Sequence, residues 1–117
     1  MPTRERLPVL PRDLERVLPR VELRAPAVVT SRVPFVVTVD VQPLSPGRPI
    51  SVSVEEKWGA GPASTLGRIE VAAIEGDTAF ASFQLALRER GTVLLLATAY
   101  DDAGSHFHPD GAVVEVL

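Results

Sequence analysis

The side chains best suited to chemistry are concentrated in one loop near the end of the chain, residues 101–110, which reads DDAGSHFHPD. His106 and His108 are two residues apart, so both imidazoles point to the same side of an extended chain. Two imidazoles with a carboxylate form a ligand set for Zn²⁺, whereas Asp101, Asp102 and Asp110 offer the oxygen ligands that Ca²⁺ prefers. The alternative is a solvated turn, because Asp-Asp-x-Gly also suits a connection between two strands. We expect no cofactor unless this loop binds Ca²⁺ or Zn²⁺.

Catalytic motifs are missing elsewhere in the sequence. The chain contains no cysteine, no Gly-x-Ser-x-Gly, no glycine-rich phosphate loop and no His-Glu-x-x-His. Ser105 and His106 are adjacent, as are Glu55 and Glu56, and adjacent side chains of an extended chain project to opposite sides. We therefore expect that the protein is not an enzyme and has no catalytic residues.

Trp58 is the only tryptophan, and it lies in a stretch, Lys57–Gly67, that is rich in Gly, Ala, Pro and Ser and is predicted to be a loop. An exposed indole can stack on a sugar ring, which makes Trp58 a candidate for carbohydrate binding. Such platforms generally use several aromatic side chains, so the alternative is a tryptophan that anchors its loop to the core.

Alternating apolar side chains predict strands, and the elements that position these residues are therefore β-strands. Pro26 breaks the first of them. Turn signals recur every ~8–12 residues, a spacing typical of a β-sandwich. The predicted strands are residues 21–30, 35–41, 50–55, 69–73, 79–87, 92–100 and 112–117.

The sixth predicted strand, residues 92–100, is apolar on both faces. One face carries Val93, Leu95, Ala97 and Ala99, and the other carries Thr92, Leu94, Leu96, Thr98 and Tyr100. Antiparallel strands usually alternate apolar side chains with polar ones that face water. The second face is therefore either covered by the chain itself or forms an interface through Leu94, Leu96 and Tyr100.

Residues 1–20 form an N-terminal arm that differs in composition from the domain at residues 21–117. Proline recurs through the arm, and Val-Leu-Pro-Arg occurs twice. Pro11 can start one to two turns of helix, with Leu14, Val17 and Leu18 on one face. A helix this short is not stable alone, so these three residues are predicted to lie on the domain or on a partner.

The overall composition narrows the class of protein. At 117 residues with 45% apolar residues, the chain is one domain that can form a core without disulfides. A net charge of −3 argues against nucleic-acid binding. We find neither a signal peptide nor a run of ~18–20 apolar residues that would span a membrane. We therefore expect cytoplasmic synthesis.

The end of the chain resembles a known family. Residues 87–104, LRERGTVLLLATAYDDAG, followed by GAVVEVL at residues 111–117, are similar to the last hairpin of bacterial and phage immunoglobulin-like and fibronectin type III-like domains. The resemblance implies an all-β, seven-stranded antiparallel immunoglobulin-like sandwich with a short N-terminal arm. It also implies a binding or spacer role.

From these features we expect a non-enzymatic structural or interaction module. The first expectation is a virion-associated capsid decoration or accessory protein, or another assembly-stabilising protein, that joins an oligomer and acts through its arm and the apolar face of the sixth strand. Its partner would be a protein, either itself or a larger assembly, and no small-molecule ligand is expected. The alternatives are a bacterial surface adhesion or spacer domain and a carbohydrate- or metal-binding accessory domain.

Overall fold

The structure is a computed structural model that describes residues 19–42, 44, 50–69, 72–102 and 107–117. These residues form strands and no helix. The strands are β1 (Arg20–Arg24), β2 (Val28–Val29), β3 (Phe35–Gln42), β4 (Ile50–Lys57), β5 (Ser64–Ile69), β6 (Ala73–Glu75), β7 (Thr78–Leu85), β8 (Gly91–Asp101) and β9 (Asp110–Val116).

The strands form two sheets. Sheet A has the order β1-β3-β7-β6, and sheet B has the order β2-β9-β8-β4-β5. Neighbouring strands are antiparallel except for the short parallel pair β2–β9. The predicted all-β sandwich is therefore confirmed, while the N-terminal arm falls almost wholly outside the described residues.

Nine strands are present among the described residues where the sequence predicted seven, because two predicted strands are each divided between the sheets. The first is divided at Pro26, which cannot donate a ladder hydrogen bond, and the chain crosses there from β1 in sheet A to β2 in sheet B. The fourth is divided between Ile69 at the end of β5 and Ala73 at the start of β6.

Residues 64–67 of β5 were predicted as part of a loop. The alternation of β5 is obscured by Gly67 and by a register shift opposite Val54 and Glu55 of β4. Gly67 has a packing role, since a Cβ atom at this position would lie 2.8 Å from Cδ2 of Phe83 in the other sheet. A glycine here lets β5 approach β7 closely.

The core lies between the two sheets and consists mainly of valine, leucine and alanine. Sheet A contributes Val37, Val39 and Val41 from β3, each fully buried. On β8 of sheet B, the buried face is the one that carries Val93, Leu95, Ala97 and Ala99. The period of two along each strand thus places one face in the core and directs the other outward.

The strand register places the candidate residues at opposite ends of the sandwich. Ile50 of β4 pairs with Asp101 of β8, and Lys57 pairs with Leu94. The loop between β8 and β9 therefore lies at one end, which we call the Asp/His end, and Trp58 lies toward the other. No helix among the described residues is long and apolar enough to cross a membrane.

Candidate functional site

The Asp/His end is built by the hairpin of β8 and β9. Asp101 is the last residue of β8 and Asp102 follows it. The Phe107 amide donates a hydrogen bond to the Ala99 carbonyl at 3.1 Å, which brings the returning chain alongside β8. His108 follows Phe107 directly and is exposed. His106 lies outside the described residues.

Asp110 has a structural role in this hairpin. Its Oδ2 accepts a hydrogen bond from the Leu23 amide at 2.8 Å, and its Oδ1 accepts one from the Gly111 amide at 3.0 Å. Leu23 lies on β1 of sheet A, so the carboxylate joins the two sheets. A cation that recruited Asp110 would compete with both bonds.

The predicted ligands are not assembled into a closed site within the part of the chain that the structure describes. No three histidine, aspartate or glutamate side chains there form a group that could hold a metal ion. Asp101 and Asp102 each already interact with another group. A metal ion at this end would therefore have to replace existing contacts and draw the side chains together.

The outward face of β8 is the one with Leu94, Leu96 and Tyr100, as the interface prediction requires, and all three are half-buried. Their role as an interface stays a prediction. Leu14, Val17 and Leu18 lie outside the described residues.

Beside Tyr100 the face becomes polar. Ser53 Oγ and Thr98 Oγ1 are 2.7 Å apart, and Thr98 Oγ1 lies 3.5 Å from the Tyr100 hydroxyl. The Arg68 guanidinium carbon lies 5.9 Å from the centroid of the Tyr100 ring. We call Ser53, Thr98 and Tyr100 the hydroxyl row.

The local sequence pattern does not identify Ser53, Thr98 and Arg68 as a group. The alternation placed Thr98 with Tyr100 on one face of its strand. The pairing of Ser53 with Thr98 and with Arg68 depends on the registers of β4 with β8 and β5, which no local pattern specifies.

Trp58 is anchored to the body of the domain. Its Nε1 donates a hydrogen bond to Glu56 Oε1 at 2.6 Å, and its partly buried ring packs against the core. A cleft of about 230 Å³ lies at the same end, lined by Glu56, Leu66, Ala86, Leu87, Arg88 and Glu89. Trp58 does not line this cleft, so these contacts support the anchoring alternative. Sugar stacking stays an untested prediction.

Sequence searches find no matching protein family and no matching curated protein. Solved structures do share the fold. A variant of superoxide reductase (neelaredoxin) from Ignicoccus hospitalis is 17% identical, with 100% of each chain covered and a TM-score of 0.69. The unsubstituted protein is 20% identical over 86% of this chain and 80% of that one, with a TM-score of 0.62.

A CARDB domain from Pyrococcus furiosus, solved in complex with di-metal ions, is also similar. It is 17% identical over 85% of this chain and 87% of that one, with a TM-score of 0.57. At these identities the likeness establishes the β-sandwich fold alone. The narrower assignment to bacterial or phage immunoglobulin-like domains stays a prediction.

These findings contradict two expectations. The sequence predicted a non-enzymatic structural module of a virion, and it predicted that the protein is not an enzyme. Both inferences treated the sandwich as a sign of a structural role, yet a sandwich of the same extent occurs in proteins named superoxide reductases. The fold therefore gives no reason to exclude catalysis. Because one neighbour is a metal complex, a bound metal is possible on this fold.

Proposed function

We propose that this chain is a metal-binding β-sandwich domain that holds a divalent ion at the Asp/His end. The observation that carries the proposal is the hydrogen bond from the Phe107 amide to the Ala99 carbonyl. It returns the chain so that His108, two residues before β9 begins, lies near the end of β8, where Asp101 is the last strand residue and Asp102 follows it. Neighbouring strands are about 4.8 Å apart, so an imidazole and two carboxylates share one end of a single hairpin.

The donor chemistry favours Zn²⁺ over Ca²⁺. Ca²⁺ takes about six to eight oxygen ligands. The Asp110 carboxylate already accepts hydrogen bonds from two backbone amides, so the three aspartates of the loop do not all offer unengaged oxygens to a cation. Zn²⁺ needs about four ligands and accepts imidazole nitrogen and carboxylate oxygen. His108, Asp101, Asp102 and the predicted ligand His106 make up such a set, and its geometry would be completed as the metal binds.

Metal binding is tested by the thermal stability of the full chain after treatment with a chelator. Zn²⁺ at a large excess over its Kd is expected to stabilise the folded state, by about 2.7 kcal/mol at 100 times Kd. Ca²⁺ at the same concentration should have a smaller effect. The Zn²⁺ effect should be lost in His108→Ala and in the double variant Asp101→Asn/Asp102→Asn.

Glu89→Gln is the matched control, because it removes an exposed carboxylate from the opposite end and should keep the full response to Zn²⁺. An equal response in all variants would indicate non-specific binding and would contradict the proposal. No response in the unsubstituted chain would contradict it as well.

An oxidoreductase activity is the second candidate, favoured by the likeness to superoxide reductases over the full chain. A redox-active ion would supply one-electron chemistry when bound. Because the chain has no cysteine, such an ion would be held by imidazole and carboxylate rather than thiolate. Consumption of superoxide by the Mn²⁺- or Fe²⁺-loaded chain, compared with loaded His108→Ala, tests this activity. Equal rates for both proteins and the free ion would exclude it for this site.

A further inference from the structure

The chain on both sides of His108 is fixed to the body of the domain. Before it, the Phe107 amide donates a hydrogen bond to the Ala99 carbonyl of β8 at 3.1 Å. After it comes Asp110, the first residue of β9, whose Oδ2 accepts a hydrogen bond from the Leu23 amide at 2.8 Å. His108 itself is exposed, so its position depends on these flanking contacts and not on burial of its ring.

Pro109 links His108 to Asp110 with little conformational freedom. The proline ring fixes its own φ near about −65°, and it also disfavours the helical region for the residue before it. A displacement of Asp110 is therefore passed on to His108 because the single residue between them cannot absorb it. The Asp110 carboxylate thus helps to set where the imidazole lies, although Asp110 is outside the proposed ligand set.

The hydrogen bond to Leu23 makes this position depend on another sheet. Leu23 belongs to β1, the edge strand of sheet A, whereas Asp110 begins β9 of sheet B. An edge strand leaves alternate N–H groups without a ladder partner, and the Asp110 carboxylate serves one of them. The Leu23 side chain is buried in the core, which fixes the amide that Asp110 meets. Docking of β1 therefore holds the start of β9 in place.

We propose that Asp110 is a positioning residue of the metal site and that it couples metal binding to the docking of β1. This inference rests on the proposed function, since it concerns the same divalent ion. While the bond from Leu23 to Asp110 is intact, His108 is held near the aspartates at the end of β8. When the bond is broken, the ion has to order His108 as it binds. Linkage is reciprocal, so the metal favours the intact bond by the factor with which that bond favours the metal.

The opposite coupling would hold if Asp110 itself bound the ion, because the ion would then compete with the Leu23 amide. The strand register argues against this arrangement. Asp110 pairs with Ala97, which precedes Asp101 by four residues, or roughly 13 Å along β8. Both Asp110 oxygens are also engaged by backbone amides. The sign of the coupling therefore distinguishes a positioning residue from a ligand.

Hydrogen exchange in the unsubstituted full chain, with and without saturating Zn²⁺, tests the sign without any substitution. Under conditions where edge and turn amides exchange through local openings, Zn²⁺ should slow exchange of the Leu23 amide by about tenfold. The Arg32 amide is the internal control, since it bonds to the Leu87 carbonyl at 2.7 Å at the opposite end and should be unaffected. Faster or unchanged exchange at Leu23 would overturn the inference.

Zn²⁺ affinity, measured by competition with a chromophoric chelator, gives a second test. Asp110→Ala should weaken binding by about tenfold, whereas Asp110→Asn keeps an oxygen acceptor for the Leu23 amide and should weaken it by about threefold or less. Val37→Ala is the control for general loss of stability. It removes a fully buried side chain from β3 toward the opposite end and should leave the affinity unchanged.

The outcomes separate this inference from the proposed function. Equal weakening by the two Asp110 variants would make the carboxylate a ligand, and equal weakening by Val37→Ala would reduce the effect to general destabilisation. Either result overturns the positioning role while the metal site stands. Absence of Zn²⁺ binding to the unsubstituted chain would overturn the proposed function and this inference together.

Discussion

The outward faces of the two sheets differ in character. On sheet A, Arg24 donates hydrogen bonds to Asp40 at 2.7 Å and to Glu22 at 2.9 Å, and Thr78 bonds to Gln42. The bond to Asp40 and then the charge of Glu22 raise the pKa of Arg24 further above its usual value, so it stays charged. The exposed Val36 and Phe80 are separated by the pair Thr38–Ser82.

Sheet B directs outward the aliphatic side chains of Val28, Leu94, Leu96 and Val113 and, beside them, the hydroxyl row. Ser53 of this row is only 5% exposed although it lies on the outward face. The outward face of sheet A thus carries solvated polar and charged side chains, whereas several outward side chains of sheet B are partly buried. This difference indicates that contacts made by the domain are to be sought on sheet B and at the Asp/His end of its hairpin.

The largest expected effect compares the two faces of β8. Leu95→Ala removes a fully buried side chain and should lower the free energy of unfolding by about 3 kcal/mol, through lost burial and a cavity. Leu94→Ala, its half-buried neighbour, should cost about 1 kcal/mol. Urea denaturation of both variants measures the difference. Equal losses would mean that the outward face is packed as tightly as the core.

The next effect tests whether the two sheets are coupled by Asp110. Asp110→Ala leaves the Leu23 and Gly111 amides without their acceptor and should cost about 1–3 kcal/mol. Hydrogen exchange should become faster at the Leu23 amide in particular. Asp77→Ala, an exposed carboxylate of another loop, serves as the control and should change stability much less. Unchanged protection of Leu23 would rule out this coupling.

A smaller effect compares one serine from each outward face. Ser53→Ala removes a hydrogen bond to Thr98 from a nearly buried position and should cost about 1 kcal/mol. Ser82→Ala removes an exposed hydroxyl from sheet A and should be within about 0.5 kcal/mol of the unsubstituted protein. Chemical denaturation distinguishes the two, and similar values would remove this contrast between the faces.

The smallest effect concerns the ion pairs of sheet A. Arg24→Ala should lower Tm only slightly, because exposed ion pairs contribute little. The loss should shrink further as salt is raised, since salt screens surface charges. A large loss that is insensitive to salt would show that Arg24 supports more than a solvated face.

The sequence predicted the sandwich well where the alternation is regular. In β3, β7 and β8 the inward residues alternate without interruption, so the buried faces follow from side-chain period alone. Prediction was weaker at Ser64–Ile69, where Gly67 and a register shift obscure the period. Pro26 correctly predicted a break in the first strand. The local pattern, however, carries no information about which sheet the chain joins after that break.

The candidate site was predicted as a set of residue types. Asp101, Asp102 and His108 do lie at one end of one hairpin, because a hairpin is a local structure. The commitment of Asp110 to Leu23 could not be predicted, since these residues are 87 positions apart in the chain. The expectation of a non-enzymatic role failed for a different reason, because one fold supports many functions.

The amino-acid sequence by itself determined the class of fold, since the period of its apolar residues decides which side chains can share a buried face. Only the tertiary structure decided which face of β8 is buried, which strands are neighbours, and that Asp110 joins the sheets while Ser53 meets Thr98. These depend on strand pairing between distant segments, and the free energy that selects one pairing comes from the packing of the whole core.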